Sequence, residues 1–200
     1  EEEDKPSING VKVSTVITKT YVPTREETAE DLFEGFVENS CTFTAELLPE
    51  TAMFSMRLAR NVEELLLKNA GVYVITATLN DGGNYSWPID LANYWVRIDD
   101  NTLKCIYVIN KAQVEKPNLT AGMLTYTGAY LLPVEAKDYG DYTVTITAAE
   151  QGDEIGVSAG TYSVVVALDD NANYEWKDGT IANLTAEYTI NKASVTVPSL

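Results

Sequence analysis

Apolar and polar residues alternate along most of this chain with a period of two, which is typical of β-strands because successive side chains point to opposite faces. In the first half, apolar residues recur at every second position at Cys41, Phe43, Ala45 and Leu47, and at Tyr73, Ile75, Ala77 and Leu79. In the second half, they recur at Tyr162, Val164, Val166 and Leu168, and at Leu184, Ala186, Tyr188 and Ile190. The pattern predicts a mainly β fold.

One segment of the first half has helical periodicity instead. Thr24 and Glu27 have the spacing of a capping box. Apolar residues then follow at intervals of three and four positions: Ala29, Leu32, Phe33, Phe36 and Val37. We expect an amphipathic helix over residues 25–38, which covers a sheet edge or, alternatively, binds a partner through its apolar side. A shorter helical turn is predicted at 61–66.

The chain contains a tandem repeat. Three blocks recur in order at an offset of 89 residues, and a fourth recurs at an offset of 81. The blocks pair 70–74 with 159–163, 79–81 with 168–170, 84–87 with 173–176, and 107–112 with 188–193. The first copy therefore has eight extra residues between its tryptophan and its closing strand. Such a period is typical of small independent domains.

The repeat predicts two modules. The first covers residues 1–112 and includes the helical insertion, the second covers 113–193, and residues 194–200 are the start of a further linker. We therefore expect this chain to be a monomeric fragment of a longer array of modules.

Each copy begins one strand with the pattern Ala-Gly-x-Tyr, which places Tyr73 and Tyr162 at equivalent positions. Glycine permits the unusual backbone of a corner, and the tyrosine hydroxyl can bond back to the preceding turn, as it does in immunoglobulin-like domains. We therefore expect two tandem antiparallel β-sandwiches of the immunoglobulin-like type. A β-grasp-like sheet wrapped around the helix at 25–38 is the alternative.

Composition and charge exclude several classes of function. The 200 residues include no histidine, and 14 Lys and Arg stand against 30 Asp and Glu, for a formal charge of -16. Nucleic acids and anionic membranes require clustered cations, so neither is an expected partner. Without histidine, the common nucleophilic catalysts and histidine metal sites are excluded. We expect no enzymatic activity and no cofactor, and no apolar stretch is long enough to span a bilayer.

The second copy resembles known repeat modules in three segments: AGTY at 159–162, NYEWKDGT at 173–180 and YTINKA at 188–193. It is similar to the immunoglobulin-like and related mostly-β repeats of large secreted bacterial surface proteins. The resemblance covers most of 124–193, whereas in the first copy it covers only the second half of 11–112, where PIDL at 88–91 replaces the Asp-Gly-Thr segment. It implies an extracellular location, on the cell surface or attached to the cell wall.

Two cysteines, Cys41 and Cys105, lie at inward-facing strand positions of the first copy. In the extracellular chain that the resemblance implies, they are candidates for a disulfide worth about 4 kcal/mol. Two buried thiols are the alternative, since the resemblance points to bacteria of anaerobic habitats, which use few structural disulfides.

Aromatic residues are the other candidates. A tyrosine and a tryptophan recur in the same frame in both copies and are predicted to form the structural core: Tyr73, Trp87, Tyr162 and Trp176. By contrast, Tyr94 and Trp95 belong to the eight extra residues of the first copy. An exposed aromatic pair at this place is the preferred candidate for stacking on a glycan.

Together these features favour a non-catalytic repeat module of a bacterial surface protein, which acts as a stalk or spacer or in adhesion. One alternative is a module that binds host or community glycans or extracellular proteins. Another is an accessory domain of a secreted enzyme that degrades polysaccharides.

Overall fold

The computed structural model describes residues 7–8, 11–12, 15–25, 27, 30–33, 36–48, 67–119, 122–131, 142–148 and 156–198. The chain divides into two compact units, Glu1–Ala112 and Gln113–Leu200, at the position of the boundary expected from the repeat. Almost all regular structure in the described residues is β, which confirms the predicted mainly β class.

The described strands of the first unit are β1 (Ser7–Ile8), β2 (Val11–Lys12), β3 (Ile17–Thr20), β4 (Cys41–Leu48), β5 (Gly71–Leu79), β6 (Val96–Arg97) and β7 (Thr102–Asn110). The main sheet has the order β3-β7-β5-β4, and β6 also pairs with β7. Strand β3 is parallel to β7, whereas the other pairs in this sheet are antiparallel. Strands β1 and β2 form a separate two-stranded sheet.

The described strands that follow are β8 (Ala112–Val114), β9 (Gly122–Thr125), β10 (Tyr142–Ala148), β11 (Gly160–Leu168), β12 (Tyr174–Trp176) and β13 (Leu184–Asn191). The main sheet of the second unit has the order β10-β11-β13-β9, in which only β9 and β13 are parallel. Strands β8 and β12 form a two-stranded sheet.

The main sheets of the two units have the same topology. In each, an early short strand (β3 or β9) is parallel to the closing strand (β7 or β13), which is antiparallel to the long central strand (β5 or β11). The register is also equivalent, since Tyr73 lies opposite Tyr107 and Tyr162 lies opposite Tyr188. The sequence repeat is therefore a repeat of structure as well.

The alternating apolar positions of the long strands form the cores. Every second residue of the central strands is buried: Tyr73, Ile75, Ala77 and Leu79 in β5, and Tyr162, Val164, Val166 and Leu168 in β11. Burial of such side chains is the main favourable contribution to folding, at about 1.5–3 kcal/mol for each large one. The alternation therefore identifies the inward face of each sheet correctly.

The predicted amphipathic helix over 25–38 is not confirmed. Among the described residues of this segment, only Glu30–Leu32 are helical, as a single 3₁₀ turn. The carbonyl of Glu27 accepts a hydrogen bond from the distant amide of Leu67, and Phe33 and Phe36 both pack on Phe43 of β4. The apolar spacing thus reflects packing on the sheet rather than a helical face. The turn predicted at 61–66 lies outside the described residues.

Candidate functional site

Each unit contains a tyrosine corner before its central strand. The buried hydroxyl of Tyr73 donates a hydrogen bond of 2.7 Å to the carbonyl of Asn69, and that of Tyr162 donates one of 2.7 Å to the carbonyl of Ser158. The bond back to the preceding turn is the one that the Ala-Gly-x-Tyr pattern predicts. Burial raises the pKa of Tyr73 above its usual value, so this phenol is a structural donor and not a base.

Trp176 is a core residue of the second unit. Its side chain is 0% exposed and packs with Tyr142, at a ring distance of 5.8 Å. Its indole Nε1 donates a hydrogen bond of 2.8 Å to the carbonyl of Ala182. The turn that follows is closed by a bond of 2.7 Å from the Gly179 amide to the Trp176 carbonyl, and Gly179 has a φ of 81°. A left-handed backbone of this kind favours glycine.

Trp87, at the equivalent position of the first unit, has different surroundings. Its side chain is only partly buried, and its buried Nε1 has no hydrogen-bond partner among the described residues. Pro88 and Ile89 follow it in place of the polar turn of the second unit, and Ile89 is 95% exposed. A buried donor without a partner is costly, at about 1–3 kcal/mol, so an oxygen atom of a ligand could favourably accept a hydrogen bond from this N–H.

The candidate glycan-stacking pair, Tyr94 and Trp95, lies in an aromatic cluster. Phe33 stacks on Phe43 at 5.3 Å between ring centroids and contacts Trp95 at 4.8 Å. Tyr94 contacts both Phe33, at 6.4 Å, and Trp95, at 5.9 Å. Both Tyr94 and Trp95 are half-buried. The two extra segments of the first copy, around 33–36 and 94–95, therefore meet on its main sheet.

This cluster lines an open cleft of about 470 Å³ in the first unit. The aromatic residues that line it are Phe33, Phe36, Phe43, Tyr85, Trp87, Tyr94 and Trp95. Its polar lining includes Ser40, Ser86 and the carboxylate of Asp90. Aromatic walls with a few polar groups are typical of sites for small ligands.

A second cleft of about 470 Å³ lies against the same tryptophan. It shares residues 85–87 with the first cleft and adds Arg97 and Asp100 as charged groups. Arg97 is held by a hydrogen bond of 2.7 Å to the carbonyl of Pro88. Trp87 therefore stands between an aromatic cleft and a polar one.

The two cysteines are far apart in the sheet. Cys41 lies opposite Leu79 and Cys105 lies opposite Ile75 on β5. The two positions are thus about 13 Å apart along the strands and about 10 Å apart across them, given usual strand spacings. A disulfide requires Cα atoms within about 7 Å, and none joins this pair. The structure therefore favours the alternative of two buried thiols.

Burial also determines the chemistry of one of these thiols. It raises the pKa of Cys105 to about 12. A thiol with such a pKa stays protonated at neutral pH, and the protonated form is a poor nucleophile.

The acidic turns of both units are structural. Asp81 accepts hydrogen bonds from the Gly83 amide and the Asn84 side chain, and Asp170 accepts one of 2.7 Å from the Asn173 side chain. The bond from Asn84 is the main reason why the pKa of Asp81 is lowered. In the described part of the chain, no group of three or more acidic or cysteine side chains is placed to hold a metal ion. No described helix is long and apolar enough to cross a bilayer.

The clefts were not predicted from the sequence, although Tyr94 and Trp95 were. Phe33, Phe36 and Phe43 line the cleft only because two segments that are distant in sequence pack on the same sheet. The local periodicity of the sequence does not indicate such packing. One feature of the sequence could have indicated the clefts: Pro88 stands directly after the repeated tryptophan, where the second copy has Lys177.

Comparison with known proteins adds no relative. No model of a known protein family matches the chain, and the search of curated proteins gives no significant match. The candidate site therefore depends on its own geometry.

Proposed function

We propose that this chain is a pair of non-catalytic repeat modules from a bacterial surface protein, with a role as a spacer. The observation that carries the proposal is the same strand order, with the same tyrosine corner, in two successive units. Units that each have their own core stay folded when they are joined in series, so each added unit lengthens the chain.

The sheet order supports the immunoglobulin-like interpretation. In immunoglobulin-like sandwiches, one sheet contains three neighbouring antiparallel strands, and a tyrosine corner lies at the start of the central strand of the three. Strands β10, β11 and β13 have this arrangement, with Tyr162 at the start of β11. Strands β4, β5 and β7 repeat it, with Tyr73 at the start of β5.

The charge supports an extracellular spacer. The first 112 residues carry 18 acidic and 10 basic side chains, and the remaining 88 carry 12 and 4, so each unit has a formal charge of -8. Like charges on neighbouring copies repel each other and keep an exposed array soluble and separated.

A display experiment tests the spacer role. The chain is fused between a wall anchor and a reporter binding domain on a bacterial surface, and capture of ligand-coated beads is measured. The control replaces the chain by a glycine-serine linker of about 20 residues, whose mean span of about 25 Å is less than the width of one folded unit of about 100 residues. Higher capture with the folded chain is expected, and equal or lower capture would contradict the proposal.

The aromatic cleft favours a second candidate function, the binding of a carbohydrate in adhesion. Sugars present apolar faces that stack on aromatic rings and hydroxyl groups that pair with polar side chains. The cleft offers the rings of Tyr94 and Trp95, the unpaired indole N–H of Trp87 and the carboxylate of Asp90.

A glycan array tests this candidate with the full chain. The variant Trp87→Phe keeps an aromatic ring but removes the N–H, so we expect it to weaken binding of an array hit about tenfold, the value of one hydrogen bond. Tyr126→Ala, at an exposed tyrosine of the second unit, is the matched control and should bind normally. Equal binding by Trp87→Phe, or no hit on the array, would count against a carbohydrate site.

A further inference from the structure

The segment that follows the second unit has the sequence pattern of the linker that precedes it. At the offset of 81 residues, 111–117 (KAQVEKP) aligns with 192–198 (KASVTVP). Lysine, alanine, valine and proline thus occupy the same places in both segments. In particular, Val195 stands where the first linker has Val114.

The first linker is an integral part of the second unit. Strand β8 pairs with β12, and the amide of Lys177 donates a hydrogen bond of 2.9 Å to the carbonyl of Val114. The Val114 side chain is 5% exposed and belongs to the core that surrounds Trp176. Pro117 is buried as well. This strand therefore completes the unit that follows it.

Polar contacts fix the register of the first linker. Gln113 donates to the carboxylate of Glu175 at 3.4 Å, and Glu115 forms an ion pair with Lys177. Lys116 forms an ion pair with Asp178. Three pairs of polar or charged side chains thus face each other along the contact.

The second linker has the same apolar pattern but no such contacts. Residues 192–198 are exposed, with Val195 at 90% and Val197 at 84%. No described strand pairs with them. Exposed β-branched residues with unpaired backbone groups form a ready edge for strand pairing.

We propose that residues 192–198 are a docking strand for a further repeat of the same kind as the second unit. Ala193, Ser194 and Val195 pair with the Tyr-x-Trp strand of that unit, as β8 pairs with β12. Val195 then enters the core beside the tryptophan of the partner. This inference rests on the proposed function, since it assumes an array of repeats.

The two linkers differ in their charged residues. Thr196 and Val197 replace Glu115 and Lys116, so the charges that face Lys177 and Asp178 are absent from the second linker. Both ion pairs are exposed, and exposed pairs contribute only about 0–1 kcal/mol, so a unit of the same kind as the second remains a suitable partner without them.

The first unit of a second copy is a poor partner for the same strand. Its segment 85–87 corresponds to β12, but Pro88 stands in the place of Lys177. Proline has no N–H, so the bond that holds Val114 in the second unit has no counterpart there. Prolines at such positions protect sheet edges against unwanted pairing.

A chain of three units tests the proposal. Residues 1–198 are followed directly by a second copy of 118–198, so that 192–198 becomes the linker to the added unit. We expect amide hydrogen exchange at Val195 to slow at least tenfold relative to the 200-residue chain. Val195→Asp should lower the unfolding midpoint of the added unit, as Val114→Asp lowers that of the second unit. In the 200-residue chain the same Val195→Asp change should have no effect.

If the added unit is folded but the amide of Val195 still exchanges fast, residues 192–198 are not a docking strand. The proposal of a spacer would not be affected by this result. If the added unit does not fold, the full chain with Val114→Asp is mixed with a peptide of residues 190–198. If the peptide restores the stability of the second unit in this variant, and the same peptide with Val195→Asp does not, the proposal is supported. If neither peptide restores it, the proposal is overturned. If the 200-residue chain forms dimers and Val195→Asp abolishes them, residues 192–198 bind a second copy of this chain, and the proposal is overturned.

Discussion

The two units share a strand order and a repeated tryptophan, yet this tryptophan has a different environment in each. Trp176 is completely enclosed and its N–H is bonded to Ala182, whereas Trp87 is partly exposed and its N–H has no partner in the described structure. The difference arises next to the tryptophan. A polar turn closes over Trp176, whereas Pro88 and Ile89 follow Trp87 and leave it open to two clefts.

The comparison shows that a residue repeated in sequence need not have a repeated role. In the second unit, strand β8 and the turn at 177–180 fill the space around the tryptophan. In the first unit, the extra segments around Phe33 and Trp95 build an aromatic wall beside it instead. The second unit therefore encloses its tryptophan completely, whereas the first leaves its tryptophan beside an open aromatic cleft.

The largest expected difference concerns removal of each tryptophan. Trp176→Ala should destabilise the second unit by about 3–5 kcal/mol, the usual cost of a large cavity in a core. Trp87→Ala should cost the first unit at most about half as much, because its side chain already contacts solvent. Urea unfolding with hydrogen exchange measured for each unit separates the two effects, and equal losses would show that Trp87 is also a core residue.

The second largest expected effect is the loss of stability when the indole N–H is removed. Trp176→Phe removes the hydrogen bond to the Ala182 carbonyl and also part of a ring that is fully buried, so it should cost about 1–3 kcal/mol. Trp87→Phe removes a donor that has no partner, so its cost should stay below about 1 kcal/mol. Calorimetry of both variants tests this, and a larger loss for Trp87→Phe would mean that its N–H is bonded in the folded chain.

The tyrosine corners should respond equally. Both hydroxyl groups donate at 2.7 Å to a carbonyl four residues earlier. Tyr73→Phe and Tyr162→Phe should therefore each cost about 0.5–1.5 kcal/mol, the net value of one hydrogen bond. Chemical denaturation of the two variants provides the comparison, and a loss confined to one unit would show that the corners are not equivalent.

The common features of the units were largely predictable from the sequence, and the differences were not. Alternation identified the central strands and their buried faces because burial on one side of a sheet imposes a period of two. The same kind of reasoning predicted a helix over 25–38, since Phe33 and Phe36 have helical spacing. Their spacing instead fits the ring of Phe43 on β4, a contact across the fold that local sequence cannot specify.

The residues of the cleft were predictable only in part, for the same reason. Tyr94 and Trp95 were identifiable as surplus residues of the first copy, but the rings that join them come from a segment some sixty residues earlier in the chain. The open environment of Trp87 depends on what packs over it, which the repeat alone cannot indicate.

The smallest expected effect is a dependence on pH that arises at Asp178, directly after the turn residue Lys177 of the second unit, and that the equivalent position of the first unit lacks. A hydrogen bond from Lys116, followed by bonds from Thr180, lowers the pKa of Asp178 from 3.8 to about 2. A lowered carboxyl pKa stabilises the folded state above pH 4, and this contribution is lost as the pH falls towards 2. The free-energy difference between the unchanged chain and Asp178→Asn should therefore shrink over this range.

The matched control uses the equivalent position of the first unit. Ile89 aligns with Asp178 at the offset of 89 residues and is 95% exposed. It does not titrate, so Ile89→Asn should change the stability of the first unit by the same small amount at pH 4 and at pH 2. Acid titration of unfolding midpoints for both variants measures the contrast. A pH-independent effect of Asp178→Asn would show that the contact between Asp178 and Lys116 does not help to hold the first linker in place.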